Sequence, residues 1–159
     1  MALTSETSET SAPVAPKRSL EHWALLSGAI LAAFAVLVLG TWIEPDPRGF
    51  GTHEKLGMGA CNFLAWTGIP CPGCGVTTSV SLAAHGSFRA AFWNQPFGLI
   101  VALLAPLAAL VAIVQHARGR DLGATLRALR PAWWGLGLGI AAAAGWAWKI
   151  VAMRAGHGG

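Results

Sequence analysis

Three long apolar runs dominate the chain, and polar segments separate them. The runs cover residues 23–43, 96–115 and 131–151, and Lys149 near the end of the third is their one charged residue. At about 1.5 Å per residue, a helix of about 20 residues spans about 30 Å, the thickness of a bilayer's hydrocarbon core. The pattern therefore predicts an all-α integral membrane protein with three transmembrane helices.

Aromatic residues and prolines mark the ends of these runs. Trp23 and Trp42 flank the first, and Trp133 and Trp148 lie toward the two ends of the third. Indole rings prefer the boundary between headgroups and hydrocarbon. Pro96 opens the second run, where the missing N–H of a proline has no intrahelical partner to lose. These positions agree with helices that begin and end at the two membrane surfaces.

The third run is rich in small residues. Gly135 and Gly139 form a GxxxG pair, and Ala141 with Gly145 repeats the spacing. Such faces let helix backbones approach closely. They serve either a homo-oligomer or packing within one chain, and we favour packing against the first two helices.

Basic residues between the second and third runs predict the orientation. Four arginines lie within 118–130 against one acid, Asp121. Lysine and arginine concentrate in short cytoplasmic loops. We therefore expect the following order: a disordered cytoplasmic tail (1–22), transmembrane helix 1 (23–43), an extracytoplasmic region (44–95), transmembrane helix 2 (96–115), a cytoplasmic loop (116–130), transmembrane helix 3 (131–151) and a C-terminal tail (152–159).

Composition supports lipid as the solvent. The 159 residues are 54% hydrophobic and 11% charged, whereas soluble domains contain about 25% charged residues. The net charge is +4, but the basic residues flank apolar runs, so we expect no binding to nucleic acid. The chain shows no Ser/His/Asp set, no paired carboxylates and no phosphate loop, and no catalytic residue is assigned.

The region 44–95 contains all three cysteines, Cys61, Cys71 and Cys74. Pro72 and Gly73 form a turn dipeptide that folds Cys71 and Cys74 toward each other. Short helices are predicted around it, interfacial or re-entrant because they are too short to span. One covers Leu56–Trp66. Another is capped by Thr77 and Thr78, runs to His85 and stops at Gly86, and a third follows Ser87. We expect Asn94 to be a cap or turn residue.

The cysteines have three interpretations. Thiol–disulfide chemistry would use Cys71 and Cys74 at a helix N-terminus, which lowers the pKa of a thiol, with Cys61 as the resolving thiol. A metal site would combine Cys61, Cys71, Cys74 and His85 in a Cys3His set suited to tetrahedral zinc. A structural role would need only a tight turn or one disulfide.

The block Gly68-Ile-Pro-Cys71-Pro-Gly-Cys74-Gly75-Val-Thr77, followed by His85-Gly86 and Asn94, resembles a known family. It is similar to small bacterial membrane proteins catalogued as domain of unknown function 2752. The resemblance covers about a third of the chain and implies the bacterial inner membrane, without an activity. This chain departs twice: Thr78 replaces a usual arginine, and Gln95 is inserted into a usual Asn-Pro.

The function predicted first is therefore an accessory or structural membrane subunit, more a non-enzyme than an enzyme, with an outward-facing CPGCG hairpin. Its partners would be the lipid bilayer and a membrane protein or a second copy. The alternatives are a membrane thiol-disulfide oxidoreductase, for which three cysteines supply only one pair and a single thiol, and a Cys3His zinc protein.

Overall fold

The computed structural model describes residues 18–156. Residues 1–17 of the predicted disordered tail and residues 157–159 of the predicted C-terminal tail lie outside this range. The described residues form seven α-helices and one 3₁₀ helix. They are α1 (Leu20–Trp42), the 3₁₀ helix (Thr52–Leu56), α2 (Asn62–Thr67), α3 (Val76–Ala84), α4 (Phe88–Asn94), α5 (Pro96–Ala117), α6 (Leu122–Ala128) and α7 (Pro131–Arg154).

Helices α1, α5 and α7 are long and apolar enough to cross a membrane. The predicted fold class is therefore confirmed: the described chain is all-helical, with three candidate spans and shorter helices between the first two. We call the end of the bundle that carries residues 44–95 the hairpin end. The end that carries residues 118–130 is the basic-loop end.

Local signals explain where the long helices begin. The Ser19 hydroxyl accepts the N–H of His22 at 3.2 Å and caps α1. Pro96 occupies the first turn of α5, and the side-chain oxygen of Gln95 accepts the Gly98 N–H at 2.9 Å. These contacts satisfy N–H groups that have no partner within the helix. Gln95 thus caps α5.

Helix α3 packs between α1 and α5 at the hairpin end, so it is part of the core rather than a surface helix. Val80 and Ala83 of α3 form the buried cluster with Ala91 of α4 and Ala102 of α5. Gly40 of α1 lies directly against Ala84, with no room for a side chain. On the other side, a Cβ added at Gly98 would lie 2.6 Å from the Ser79 Cβ.

The polar side chains of α3 are hydrogen-bonded inside this core. Ser81 donates to the carbonyl oxygen of Ile43 at 2.5 Å, and Ser79 donates to that of Ala91 at 3.0 Å. The Thr78 and Thr52 hydroxyls lie 2.8 Å apart. Buried hydroxyls with partners avoid the cost of unpaired polar groups. The predicted threonine cap is wrong, because the residue at the N-cap of α3 is Gly75.

Helix α7 is attached mainly through its second half. Residues 131–140 are exposed, and a Cβ added at Gly135 or Gly139 would have no atoms of other segments within 4 Å. Gly145 does pack within the chain, because a Cβ there would lie 2.9 Å from the Phe97 Cβ. Gly145 therefore packs against another span of the same chain, as we favoured for the small-residue face. A Cβ at Gly135 or Gly139 would contact no other span.

A histidine pair closes the basic-loop end. His22 is fully buried, and its Nδ1 accepts the Leu122 N–H at 3.1 Å. Its Nε2 then carries the proton and donates to Nδ1 of His116 at 3.0 Å. Asp121 caps α6 by accepting the Ala124 N–H at 2.9 Å. His22 thus joins α1, α5 and α6, and neither this network nor α6 was predicted from the sequence.

Replacing His22 with leucine is expected to destabilise the protein by about 1–3 kcal/mol, because the buried Leu122 N–H loses its acceptor. Denaturant unfolding in detergent measures the change. The partly exposed His53 provides the control, since His53→Leu should change stability by less than about 0.5 kcal/mol. Equal effects of the two substitutions would contradict this role of His22.

Candidate three-cysteine site

The residues 71–75 fold into a tight turn, which we call the cysteine turn. The Cys74 N–H donates to the Cys71 carbonyl oxygen at 2.9 Å, and the Val76 N–H donates to that of Gly73 at 3.1 Å. Pro72 and Gly73 are exposed at the tip. Gly75 has φ +86°, a left-handed conformation that glycine adopts without a steric penalty. The predicted turn therefore brings both cysteines to one side.

Cys61 approaches the cysteine turn from another segment, at the N-cap of α2. The sulfur atoms of Cys71 and Cys74 lie 3.1 Å apart, and those of Cys74 and Cys61 lie 3.5 Å apart. All three sulfurs lie within 4.8 Å of one another. We call this group the three-cysteine site. It contains free thiols, with Cys74 buried and the other two partly exposed.

His85 does not join the three-cysteine site. It follows the far end of α3, is exposed, and places its Nδ1 2.8 Å from the carbonyl oxygen of Ser81. Among the described residues, the cluster able to hold a metal consists of the cysteines alone. The Cys3His arrangement is therefore wrong in its fourth ligand, because α3 carries His85 away from the turn at its start.

His85→Ala is accordingly expected to leave any affinity of the purified protein for zinc unchanged within about twofold, a difference of about 0.4 kcal/mol. Competition with a chromophoric chelator measures it. A tenfold loss of affinity in this variant would restore His85 as a ligand.

The remaining predicted motif residues lie in or near α3 and α4, next to the cysteine turn or at the far end of α3. Thr77 is half-buried in the first turn of α3, and Gly86 ends that helix with φ +79°. Asn94 is more than a turn residue. Its amide N–H₂ donates to the Gly75 carbonyl at 3.0 Å and to the Ser79 hydroxyl at 2.8 Å. Asn94 thus fixes the end of the cysteine turn to α3.

Burial and local hydrogen bonds shift the pKa values of two of the thiols in opposite directions. Burial raises the pKa of Cys74 above its ordinary value, since a thiolate loses water there. The Leu64 backbone N–H lowers the pKa of Cys61 by stabilising its thiolate. Cys61 is therefore the readier nucleophile or metal ligand. A bound cation or another positive charge nearby would favour the Cys74 thiolate, because it offsets the cost of burial.

Lys149 of α7 is an unexpected neighbour of the site. It is 1% exposed, and its ammonium donates to the Asn94 side-chain oxygen at 2.8 Å and to the Gly49 carbonyl at 3.0 Å. From the sequence alone, Lys149 is expected only to mark the end of the third transmembrane helix. The signal that could have found it is a charge within an apolar run, four residues after Gly145 and so on the same helix face.

A cavity of about 870 Å³ lies beside the site but contains none of the cysteines. It opens between the last turns of α7 and the segments near α4. Side chains therefore leave space between the end of α7 and these segments. The lining residues are Pro45, Asp46, Pro47, Gly49, Leu82, Ala90, Trp93, Asn94, Trp148, Val151, Ala152, Ala155 and Gly156.

The segment that builds the site also carries a family match. Residues 61–111 match the family described as a protein of unknown function, DUF2752. The match confirms the resemblance noted in the sequence over this segment. No curated protein and no solved structure matches the chain.

The DUF2752 segment begins at Cys61 and so contains all three sulfurs of the site, α3 and the first part of α5. Lys149 and Gly49 lie outside it. Within this segment, Thr78 is 1% exposed, and its hydroxyl is hydrogen-bonded to that of Thr52. Thr78 is therefore part of a buried hydroxyl pair in the core of this chain.

Proposed function

We propose that this chain is a bacterial inner-membrane protein that binds a thiophilic cation, with zinc as the probe, at the three-cysteine site. The observation that carries the proposal is the convergence of three thiols from two separate segments within 4.8 Å. The role that follows is that of an accessory or structural subunit whose metal centre stabilises the hairpin end. No chemical turnover is required of such a site.

The geometry suits a cation bound between the sulfurs. Ligands of a tetrahedral zinc lie about 3.8 Å apart, because each Zn–S bond is about 2.3 Å. The sulfur separations of 3.1 and 3.5 Å approach this value. A bound cation also favours thiolates, which offsets the raised pKa that burial gives Cys74. With three cysteines as ligands, the fourth position is open to water or to a group from a partner.

A disulfide is the second candidate, favoured by the 3.1 Å between the sulfurs of Cys71 and Cys74. Forming the S–S bond removes two electrons and two protons, which an external disulfide or a quinone has to accept. Cys61 would remain as a single thiol able to attack that bond. Passing electrons onward would still require a second cysteine pair or a quinone from a partner.

Bound metal and thiol counts distinguish the two functions. The protein is purified in detergent without added reductant, and zinc content and free thiols are measured before and after reduction. One zinc per chain with three thiols released by acid supports the metal site. Two thiols that appear only after reduction, with no bound metal, would establish the disulfide and reject zinc.

We place the hairpin end at the outer face, because the arginines at the opposite end favour the cytoplasm. Two matched reporters test this: Gly59→Cys at the hairpin end and Arg120→Cys at the basic-loop end. A membrane-impermeant maleimide applied to intact cells should label the first above the level of the unchanged protein. Labelling of the second alone would reverse the orientation.

A further inference from the structure

Hydrogen bonds from three side chains within residues 146–149 hold the second half of α7 at the hairpin end. The Trp146 indole N–H donates to the Pro70 carbonyl at 2.7 Å, and that of Trp148 donates to the Trp93 carbonyl at 2.8 Å. Lys149 adds its bonds to Gly49 and Asn94. Because residues 131–140 are exposed and a cavity lies beside the last turns, these contacts carry much of the attachment.

Two of these contacts enclose the cysteine turn. Pro70, the acceptor for Trp146, directly precedes Cys71. On the other side, Lys149 lies against Gly75, which directly follows Cys74: a Cβ added at Gly75 would lie 3.0 Å from Cε and 3.3 Å from Nζ of Lys149. Helix α7 therefore contacts both the residue before Cys71 and the residue after Cys74.

Asn94 connects the same groups a second time. Its side-chain oxygen accepts from Lys149 at 2.8 Å while its N–H₂ donates to the Gly75 carbonyl at 3.0 Å. A change in the position of the cysteine turn is thus transmitted to Lys149 both by direct contact and through this amide. Groups outside the ligand set that position ligands in this way strongly affect metal affinity.

The charges of the two elements are complementary. Three thiolates around a divalent cation carry a net charge of −1. The Lys149 ammonium is buried against Gly75, which directly follows Cys74, so it lies on the side of the site where a Cys74 thiolate would carry negative charge. Attraction between opposite charges is strong where water is excluded. The negative charge of the metal-bound site and the positive charge of Lys149 therefore stabilise each other.

We propose that cation binding at the three-cysteine site and docking of α7 are energetically coupled, with Lys149 as the positioning residue that couples them. This inference rests on the proposed metal-binding function. Coupling is reciprocal, so the cation tightens the attachment of α7 and the docked helix raises the affinity for the cation by the same factor. Cation binding at the three-cysteine site thus stabilises the docked position of α7.

Zinc affinity of matched variants tests the coupling from one side. Lys149→Met is expected to lower the affinity of the full-length protein for zinc about 10–100-fold. Lys149→Arg retains the charge and should recover most of the affinity, which a purely steric role would not produce. Arg154→Met, an exposed cation on the same helix, is the control and should bind as the unchanged protein does.

Trp146→Phe keeps the proposal testable where Lys149→Met fails to fold. It removes the N–H that reaches Pro70 but retains an aromatic ring, and we expect about a tenfold loss of zinc affinity. Wild-type affinity in a folded Lys149→Met, or in Trp146→Phe where Lys149→Met does not fold, would overturn the coupling.

Hydrogen exchange of the unchanged protein tests the coupling from the other side. Adding zinc should slow exchange of the backbone amides of residues 145–153 at least tenfold, and residues 133–140 of the same helix should change far less. Zinc binding without slower exchange in 145–153 overturns the coupling alone. A protein that binds no zinc overturns the proposed function as well, so the two failures can be distinguished.

Discussion

Replacing Cys74 with serine is expected to lower the affinity for zinc by at least about two orders of magnitude. Structural zinc sites gain about 10–16 kcal/mol from their ligands, so one of three or four thiolates accounts for about 3 kcal/mol or more. Serine has nearly the same shape, but its hydroxyl does not ionise to replace a thiolate. Chelator competition on the purified protein in detergent measures the loss.

Cys61→Ser and Cys71→Ser should produce losses of the same order if all three sulfurs bind the cation. The matched control is Thr77→Ser, close in sequence to Cys74 but without a sulfur, which should bind zinc normally. Should Cys74→Ser and the other two variants retain full affinity, any bound zinc lies elsewhere and the proposed function fails. Loss in only two of the variants would reduce the site to two cysteines.

Gly98→Val is expected to destabilise the protein by about 3 kcal/mol or more, among the larger effects that overpacking produces. A Cβ at residue 98 would lie 2.6 Å from the Ser79 Cβ and 2.8 Å from the carbonyl oxygen of Val76. Two further methyl groups would force α5 away from α3, which holds the cysteine turn at its start. Unfolding in detergent, followed by circular dichroism, measures the change in free energy.

Gly28→Val supplies the control for this prediction. Gly28 lies in α1, and a Cβ added there would have no atoms of other segments within 4 Å. The same side-chain enlargement there should cost less than about 1 kcal/mol, since valine is a better helix former than glycine. Similar destabilisation by the two valines would show that the approach of α3 to α5 is not close. If Gly98→Val also weakens zinc binding, the placement of α3 helps to assemble the site.

Hydropathy was sufficient for the architecture because crossing a bilayer depends on local properties of each segment. Length and apolar character identify α1, α5 and α7 one at a time, without knowledge of how they pack. The turn around Pro72 and Gly73 is equally local, so the approach of Cys71 to Cys74 follows from residues adjacent in the chain.

The membership of the site depended on packing between distant segments. Cys61 and His85 are comparable candidates in the sequence, but α2 begins beside the cysteine turn, whereas α3 leads away from it and ends at Ala84. Whether a helix leads toward or away from a site depends on its tertiary placement. The spacing of residues along the chain contains no such information.

The sequence by itself therefore determined three membrane-spanning helices and a turn that pairs two cysteines. Only the tertiary structure decided that Cys61 completes the site, that His85 is excluded, and that Lys149 and His22 are buried at opposite ends of the bundle. The physical reason is that burial and charge pairing arise from surfaces meeting across the fold. A lysine near the end of one helix and a histidine in the first turn of another are buried only where other segments cover them.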